Sequence, residues 1–142
     1  MKISECKMDV LSVPQEYYIL CALSSDLNFK MGLPKQINRK FNLKERIFVS
    51  DLEPDDFEVG GAIQFGNLMA IFTKESAWDT PEEDDIIEAL MAAKSFCEED
   101  AVFKLAMPKI CTGKNGLPWE DVKSMIEFVF DDMDIDILVC EV

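Results

Sequence analysis

Lys74 is the residue with the most direct route to covalent chemistry. It ends the apolar run that begins at Leu68, where a buried strand meets the loop that follows it. A lysine amine that is partly removed from water can act as a nucleophile. The alternative is that Lys74 faces solvent and has no role beyond ending the strand. The apolar run is compatible with both interpretations.

The segment from Met107 to Trp119 is a candidate for holding phosphate. It places two glycines, Gly113 and Gly116, between an apolar run and the next helical pattern. Backbone N–H groups in such a loop, with a helix N-terminus behind them, can bind an anion. The upstream glycine and the hydroxyl residue of a P-loop are missing, and an ordinary strand-to-helix connection is the alternative.

Asp9 directly follows residues 2–8, a short segment of mixed polar and apolar residues that is a candidate edge strand. A carboxylate at a strand end can accept hydrogen bonds from a base or a ribose, and it can equally cap a turn. Two other acidic stretches, residues 51–58 and 132–136, superficially resemble cation loops. Neither has the ligand spacing, and Ile137 stands where an EF-hand loop has glycine. The sequence therefore predicts no metal site.

Composition restricts both the partners and the catalytic classes. The 142 residues include 28 acidic and 14 basic ones, so the formal net charge is −14. Nucleic acids and anionic membranes attract basic surfaces, so we expect neither as a partner. The sequence has no histidine, which excludes Ser-His-Asp and Cys-His catalysis and an imidazole base.

The cysteines and the first residues indicate a cytoplasmic protein. The five cysteines are odd in number and scattered, and no two form a Cys-x-x-Cys pair. This pattern is typical of reduced thiols in a reducing compartment. The start of the chain lacks the apolar stretch of a signal peptide, and no apolar run reaches the ~18 residues of a membrane span.

Strand-like segments alternate with helical patterns along the chain. A Gly66-Asn67 pair predicts the tight turn of a hairpin over residues 62–72. Residues 51–58 are predicted to form a solvated loop. The predicted strands cover residues 2–8, 17–23, 47–49, 62–65, 68–72, 101–107 and 135–140.

Three segments show the helical spacing of apolar side chains. The first helix is predicted to begin at Pro34 and the last at Pro118. The clearest helix is predicted to begin at Thr80, an N-cap that forms a capping box with Glu83. The expected buried faces are Ile37 and Phe41 in the first helix, Ile86, Leu90, Ala93 and Cys97 in the second, and Val122, Ile126, Val129 and Met133 in the third.

This alternation predicts one α/β domain over residues 1–142 with parallel strand pairs and right-handed crossovers. Ligands of such sheets bind outside the carboxyl ends of the strands, where loops lead into helices. Three segments fall at these ends: residues 24–34, 73–80 and 108–117.

In order and spacing, these segments together resemble the macro domain, the ADP-ribose-binding family. They are most similar to the subgroup of the terminal ADP-ribose protein glycohydrolase, over nearly the whole chain. The resemblance implies a three-layer α/β/α fold around a mixed, mostly parallel sheet, with an ADP-ribose cleft at the carboxyl ends of the strands. The matching segments are Lys7 to Leu11, Ala22 to Asp26 with Met31-Gly32, Lys35 to Phe41, Phe72-Thr73-Lys74, and Leu105 through Gly113 to Val122.

The resemblance also implies catalytic roles. In the subgroup a lysine attacks the anomeric carbon of the ribose, and an aspartate helps to release the resulting adduct. Lys74 falls on the position of the lysine, whereas Asn115 stands at the position of the aspartate. An amide cannot accept a proton as a carboxylate does. A non-catalytic ADP-ribose reader and a degenerate macro-like protein-interaction domain are therefore the alternatives to a hydrolase.

The loops depart from the family pattern in two places. The first phosphate loop is shortened to Gly32-Leu33-Pro34, and Pro34 has no N–H to donate. The second loop reads Cys111-Thr112-Gly113 in place of Gly-x-Gly, which hinders close approach of the backbone to a ligand. Lys114 offers a direct positive charge in compensation. No separate cofactor is expected, and the expected partner is ADP-ribose or an ADP-ribosylated protein. The ligand-binding set implied by the resemblance is Asp9, Val10, Ser24, Met31, Gly32, Cys111, Thr112, Gly113, Lys114, Gly116 and Leu117.

Overall fold

A computed structural model describes residues 1–142, apart from the side chain of Pro54. Six strands alternate with four helices, and two short 3-10 turns cover Val10–Ser12 and Pro54–Phe57. The elements in chain order are β1 (Lys2–Lys7), β2 (Tyr18–Ser24), α1 (Gly32–Phe41), α2 (Leu43–Val49), β3 (Ala62–Phe65), β4 (Leu68–Lys74), α3 (Glu83–Glu99), β5 (Lys104–Pro108), α4 (Trp119–Phe130) and β6 (Asp136–Glu141).

The six strands form one mixed sheet in the order β1-β6-β5-β2-β4-β3. Every neighbouring pair is parallel except β3 and β4, which are antiparallel and form the predicted hairpin. Gly66 in its turn has a φ of 57°, a conformation that glycine adopts without the strain of a Cβ. Because five strands run the same way, their carboxyl ends meet at one edge of the sheet.

Helices cover both faces of the sheet, which confirms the predicted three-layer α/β/α fold. Successive residues of β2 point to opposite faces: Leu20 packs with the core under α3 and α4, and Ile19 with the core under α1 and α2. Burial on both sides makes β2 a nearly continuous apolar run. The predicted buried face of α3, from Ile86 to Cys97 at helical spacing, is confirmed.

The predicted strand at residues 47–49 is wrong, because these residues end helix α2. Leu43 and Ile47, four residues apart, are both buried, whereas Phe48 and Val49 are 88% and 73% exposed. A three-residue apolar run is too short to distinguish a strand from the end of a helix, and the helical partner lies four residues upstream.

Several boundaries also differ from the prediction. α3 begins at Glu83 behind an extended Glu82 and has no side-chain cap, so the capping box at Thr80 is wrong. Pro81 is instead buried against the loops at the carboxyl edge of the sheet. α1 begins two residues before Pro34. β5 begins at Lys104 rather than at residue 101. α4 begins at Trp119 rather than at Pro118 and ends before Met133. A 3-10 turn lies within the predicted loop 51–58.

Among the described residues, none of the helices has both the length and the apolar character that crossing a membrane requires.

Candidate functional site

The candidate site is a cleft at the carboxyl ends of β2, β4 and β5. It consists of two adjoining cavities. The one of about 230 Å³, lined in part by Cys111, Gly113 and Gly116, is called the inner cavity. The one of about 250 Å³, lined in part by Ser24, Met31 and Trp78, is called the outer cavity. The three loop segments predicted from the sequence meet there. The residues that line both cavities are Ala22, Pro34, Lys74 and Lys114.

Lys74 lies between the two cavities. It is the last residue of β4 and is half-buried, and the preceding residue, Thr73, is only 2% exposed. The Lys74 Nζ donates a hydrogen bond to the carbonyl oxygen of Ala77 at 3.0 Å. The amine is therefore held toward the cleft by an uncharged acceptor from the loop after β4.

Cys111 lines the inner cavity beside Lys74. Burial raises the pKa of its thiol to about 11, although a hydrogen bond with Thr73 and the positive charge of Lys74 oppose the shift. The thiol is therefore protonated at neutral pH and is a poor nucleophile there. Its backbone has a φ of 62°, in the left-handed region that non-glycine residues rarely adopt.

The loop between β5 and α4 folds tightly on itself. The N–H of Gly116 donates to the Gly113 carbonyl at 2.8 Å, and that of Leu117 to the Cys111 carbonyl at 2.7 Å. A Cβ on Gly116 would lie 2.4 Å from the Cys111 carbonyl oxygen, so position 116 has room for glycine alone. Among the described hydrogen bonds, the N–H groups of residues 113–115 have no protein acceptor. They are the donors that this loop can offer to an anion.

Asn115 connects this loop to the segment after β4. It is exposed, has a φ of 65°, and lines the outer cavity with Lys74. Its Nδ2 donates to the carbonyl oxygen of Trp78 at 3.2 Å. The Trp78 side chain is 61% exposed and also lines the outer cavity.

Ser24, the last residue of β2, and Met31, in the loop that follows, line the outer cavity. Ser24 is 6% exposed, and its hydroxyl donates to Asp26 Oδ1 at 2.5 Å. Asp26 Oδ2 accepts the backbone N–H of Ala77 at 3.4 Å. Sequence reasoning missed Asp26 and Trp78 as site residues, although both lie in segments predicted to end at the cleft.

Asp9 lies at the same edge of the sheet but lines neither cavity. Its Oδ1 accepts the backbone N–H of Leu11 at 2.9 Å and so caps the 3-10 turn after β1. Val10 is buried in the core under α1 and α2. Contact of Asp9 with the base or ribose of a ligand stays a prediction.

The proposed site residues thus divide into two groups. Those lining the cleft are Ser24, Met31, Lys74, Cys111, Gly113, Lys114, Asn115 and Gly116. Those outside its lining are Asp9, Val10, Gly32, Thr112 and Leu117. Thr112 supports the loop from within, because its Oγ1 donates to the Lys109 carbonyl at 2.6 Å.

Lysines concentrate at the cleft although the chain as a whole is acidic. Lys109 lines the inner cavity together with Lys74 and Lys114, and it also pairs with Glu141 at 3.3 Å. Lys109 also pairs with Glu5 at 3.7 Å, whereas Lys74 and Lys114 have no carboxylate partner among the described salt bridges. These two positive charges can therefore pair with an anionic ligand. Among the described residues, no group of three or more His, Cys, Asp or Glu side chains is placed to hold a metal ion.

Comparisons with known proteins find relatives in sequence and in structure. The bovine ADP-ribose glycohydrolase OARD1 is 29% identical over 139 residues, which cover 97% of this chain and 90% of that protein. The macrodomain of Thermus aquaticus DarG superposes with a TM-score of 0.84 at 19% identity, covering 99% of this chain and 98% of the other. Thermosipho africanus DarTG, solved in complex with ADP-ribose, gives a TM-score of 0.80 at 14% identity and covers 99% of this chain and 42% of that one. No family model matches the chain.

Proposed function

Because this chain is a member of the macro domain family, with similarity to ADP-ribose glycohydrolase OARD1, we propose that its cleft binds ADP-ribose. The observation that carries the proposal is the position of Lys74 and Lys114, which line both cavities at the carboxyl edge of the sheet. Two adjoining cavities with shared cationic walls suit a ligand that has a diphosphate between two ribose groups.

The inner cavity is the proposed place of the diphosphate. Lys114 supplies positive charge there, and the N–H groups of Gly113 and Lys114 supply donors without acceptors among the described residues. The distal ribose then extends into the outer cavity, toward Lys74, Trp78 and Asn115. This orientation brings the anomeric carbon of the distal ribose to the Lys74 amine.

Lys74 is the proposed nucleophile for removal of ADP-ribosyl groups. Its amine attacks the anomeric carbon, the bond from that carbon to the attached group breaks, and the leaving group takes up a proton. The ribose opens to a Schiff base on Lys74, and water then hydrolyses it to ADP-ribose and the free lysine.

A non-catalytic ADP-ribose reader is the second candidate, and Asn115 is the observation that favours it. The resolving step needs a group that accepts a proton, and the Asn115 amide instead donates to the Trp78 carbonyl. For the hydrolase, the missing proton acceptor predicts turnover that is slow at most, with a covalent adduct on Lys74 that persists. For the reader we expect no adduct.

Calorimetric titration with ADP-ribose tests binding, with ADP and AMP as controls. We expect saturable heat with ADP-ribose and weaker binding of the two shorter nucleotides. The Cys111 thiol provides a second readout, because it lines the inner cavity. Bound ADP-ribose should slow its alkylation by iodoacetamide at alkaline pH, where the thiolate is populated. Absence of heat and of protection at millimolar ADP-ribose contradicts both the hydrolase and the reader.

We propose a single domain over residues 1–142 in the cytoplasm, acting on ADP-ribose or on a protein that carries it. The five free cysteines support a reducing compartment. The net charge of −14 opposes a nucleic-acid partner.

A further inference from the structure

Three hydrogen bonds converge on the short segment that follows β4. Ala77 accepts a bond from Lys74 through its carbonyl oxygen, and its N–H donates to Asp26. We call Asp26, Lys74 and Ala77 the Ala77 clamp. The third bond, from Asn115 to the Trp78 carbonyl, attaches the next residue to the loop before α4.

Asp26 is held firmly enough to act as the anchor of this clamp. Its Oδ1 accepts the hydroxyl of Ser24 at 2.5 Å and the backbone N–H of Asn28 at 3.2 Å. Its own backbone N–H donates to the Glu75 carbonyl at 3.0 Å, which continues the pairing of β2 with β4 beyond the strand ends. The Asp26 side chain is therefore held by Ser24 and Asn28, and its backbone by Glu75, independently of its bond to Ala77.

The Lys74 amine has no comparable anchor of its own. Among the described contacts, its Nζ meets no carboxylate within salt-bridge distance, and its acceptor is the Ala77 carbonyl. A long, flexible side chain is located by the acceptor that it meets, so the place of the amine depends on the segment that carries Ala77. That segment is in turn held by Asp26.

We propose that Asp26 is a positioning residue that sets the Lys74 amine against the distal ribose by fixing the Ala77 carbonyl. The inference rests on the proposed function, in which Lys74 forms the covalent bond. It assigns Asp26 no contact with ADP-ribose and no exchange of protons.

The chemistry of the clamp requires a carboxylate. Asp26 accepts three hydrogen bonds on two oxygens, from Ser24, Asn28 and Ala77. An asparagine of the same shape has one accepting oxygen, which keeps the bonds from Ser24 and Asn28 when it stands at the Oδ1 position. Its NH₂ group then faces the Ala77 N–H, and two donors cannot bond. Asp26→Asn should therefore release Ala77 while it preserves the volume of the side chain.

The experiment compares wild type, Asp26→Asn and Glu75→Gln. Glu75→Gln is the matched control, because it removes the same charge from an exposed neighbouring carboxylate on the segment. Three quantities are measured for each protein: ADP-ribose affinity by calorimetry, hydrogen exchange of the Ala77 amide by NMR, and the rate of reductive trapping. In the trapping reaction the Lys74 amine and the aldehyde of open-chain ADP-ribose lose water to form an imine, and cyanoborohydride reduces that imine to a stable secondary amine.

For Asp26→Asn we expect trapping at saturating ADP-ribose to slow by about 10-fold to 100-fold, because small displacements of a reacting group cost this much. We expect faster exchange of the Ala77 amide and an affinity within about twofold of wild type. Glu75→Gln should match wild type in all three. A trapping rate in Asp26→Asn equal to that of wild type overturns the positioning role, as does an equal loss in both variants, which indicates charge rather than position.

Failure of the proposed function gives a different result. If wild type binds no ADP-ribose, the binding proposal fails and the clamp loses its role with it. If wild type binds ADP-ribose and no adduct forms on Lys74, binding stands, and both the nucleophile and its positioning residue are overturned.

Discussion

Two regions at the carboxyl edge of the sheet are built in different ways: the cleft around Lys74, called the Lys74 end, and the turn at Asp9 outside the cleft lining, called the Asp9 end. At the Lys74 end, side chains from three loops meet through bonds that cross long stretches of sequence: Asp26 and Ala77 are 51 positions apart, and Trp78 and Asn115 are 37 apart. At the Asp9 end, the carboxylate bonds to the backbone two residues ahead. The Lys74 end therefore depends on the whole sheet edge being assembled, whereas the Asp9 turn forms from adjacent residues.

This difference predicts how substitutions will act. Changes at the Lys74 end should alter covalent chemistry, or the loop packing that supports it. Changes at Asp9 should alter affinity and leave the chemistry at the distal ribose unchanged. Affinity and adduct formation, measured separately, can therefore test whether the two ends are independent.

Lys74→Ala should produce the largest effect, complete loss of the ADP-ribosyl–lysine adduct and of any turnover. The amine is the proposed attacking group, and Lys114, the other lysine that lines both cavities, is assigned to the diphosphate instead. Intact-mass spectrometry after reduction with cyanoborohydride measures the adduct. Lys114→Ala is the control, because Lys114 also lines both cavities. It should weaken ADP-ribose binding by about 1.5–3 kcal/mol and leave the adduct detectable at saturation. An adduct of undiminished yield in Lys74→Ala contradicts the assignment.

Asn115→Asp should accelerate release of the adduct by roughly 100-fold, the lower range for a general acid or base in the right place. The substitution supplies a proton acceptor but removes the donor to the Trp78 carbonyl. The decay rate of the adduct, followed by mass spectrometry, measures the gain. An unchanged rate combined with no adduct trapped at Lys74 would reject the lysine mechanism and favour the reader.

Deamidation is the matching control for position 115, because Asn115-Gly116 is a sequence prone to this reaction. In the structure the Asn115 Nδ2 donates to Trp78 and the Gly116 N–H donates to Gly113, so both reacting groups are engaged. We expect slow deamidation in the folded protein. A gain of one dalton at Asn115 in an aged sample, together with activity that fresh protein lacks, would show the Asn115→Asp effect without mutation.

Asp9→Ala should weaken ADP-ribose binding by about 1.5–3 kcal/mol, the range for a hydrogen bond to a charged group, with the fold retained by circular dichroism. Asp9→Asn is the informative second variant, because its side-chain oxygen can still accept the Leu11 N–H while the charge is lost. Equal affinity of wild type and Asp9→Ala would identify Asp9 as a turn residue. A slower rate of reductive trapping in Asp9→Ala than in wild type, both at saturating ADP-ribose, would show that the two ends are coupled.

Gly116→Ala should lower the free energy of unfolding by about 1–3 kcal/mol, the usual cost of overpacking. The new Cβ would lie 2.4 Å from the Cys111 carbonyl oxygen and 2.7 Å from the Thr112 backbone. Gly113→Ala is the matched control, because a Cβ there meets no atom within 4 Å, and its effect should stay within about 0.5 kcal/mol. Urea denaturation measures both, and equal values contradict the packing at Gly116.

The sequence patterns alone determined the α/β class of the fold and the general place of the site, and the resemblance to the macro domain supplied the three layers. Periods of 3.6 residues marked the buried face of α3, and the continuous apolar run marked β2 as buried on both faces. These signals are local, because each buried face repeats within a single element. The alternation of strands and helices then implied parallel strands whose carboxyl ends meet at one edge. The turn that Asp9 caps is local in the same sense. The sequence could therefore state both alternatives for this carboxylate, which are capping a turn and accepting hydrogen bonds from a base or a ribose.

Only the tertiary structure decided which side chains meet. The apolar triplet 47–49 became the end of α2 because Leu43 and Ile47 pack into the core together, a fact that the triplet itself does not contain. The capping signal at Thr80 does not begin α3, because Pro81 is buried at the cleft and the helix begins at Glu83. Asp26 and Ala77 are neighbours because β2 and β4 pair in register and their loops continue side by side. Contacts between residues this far apart follow from the sheet, and no local pattern of residue types encodes them.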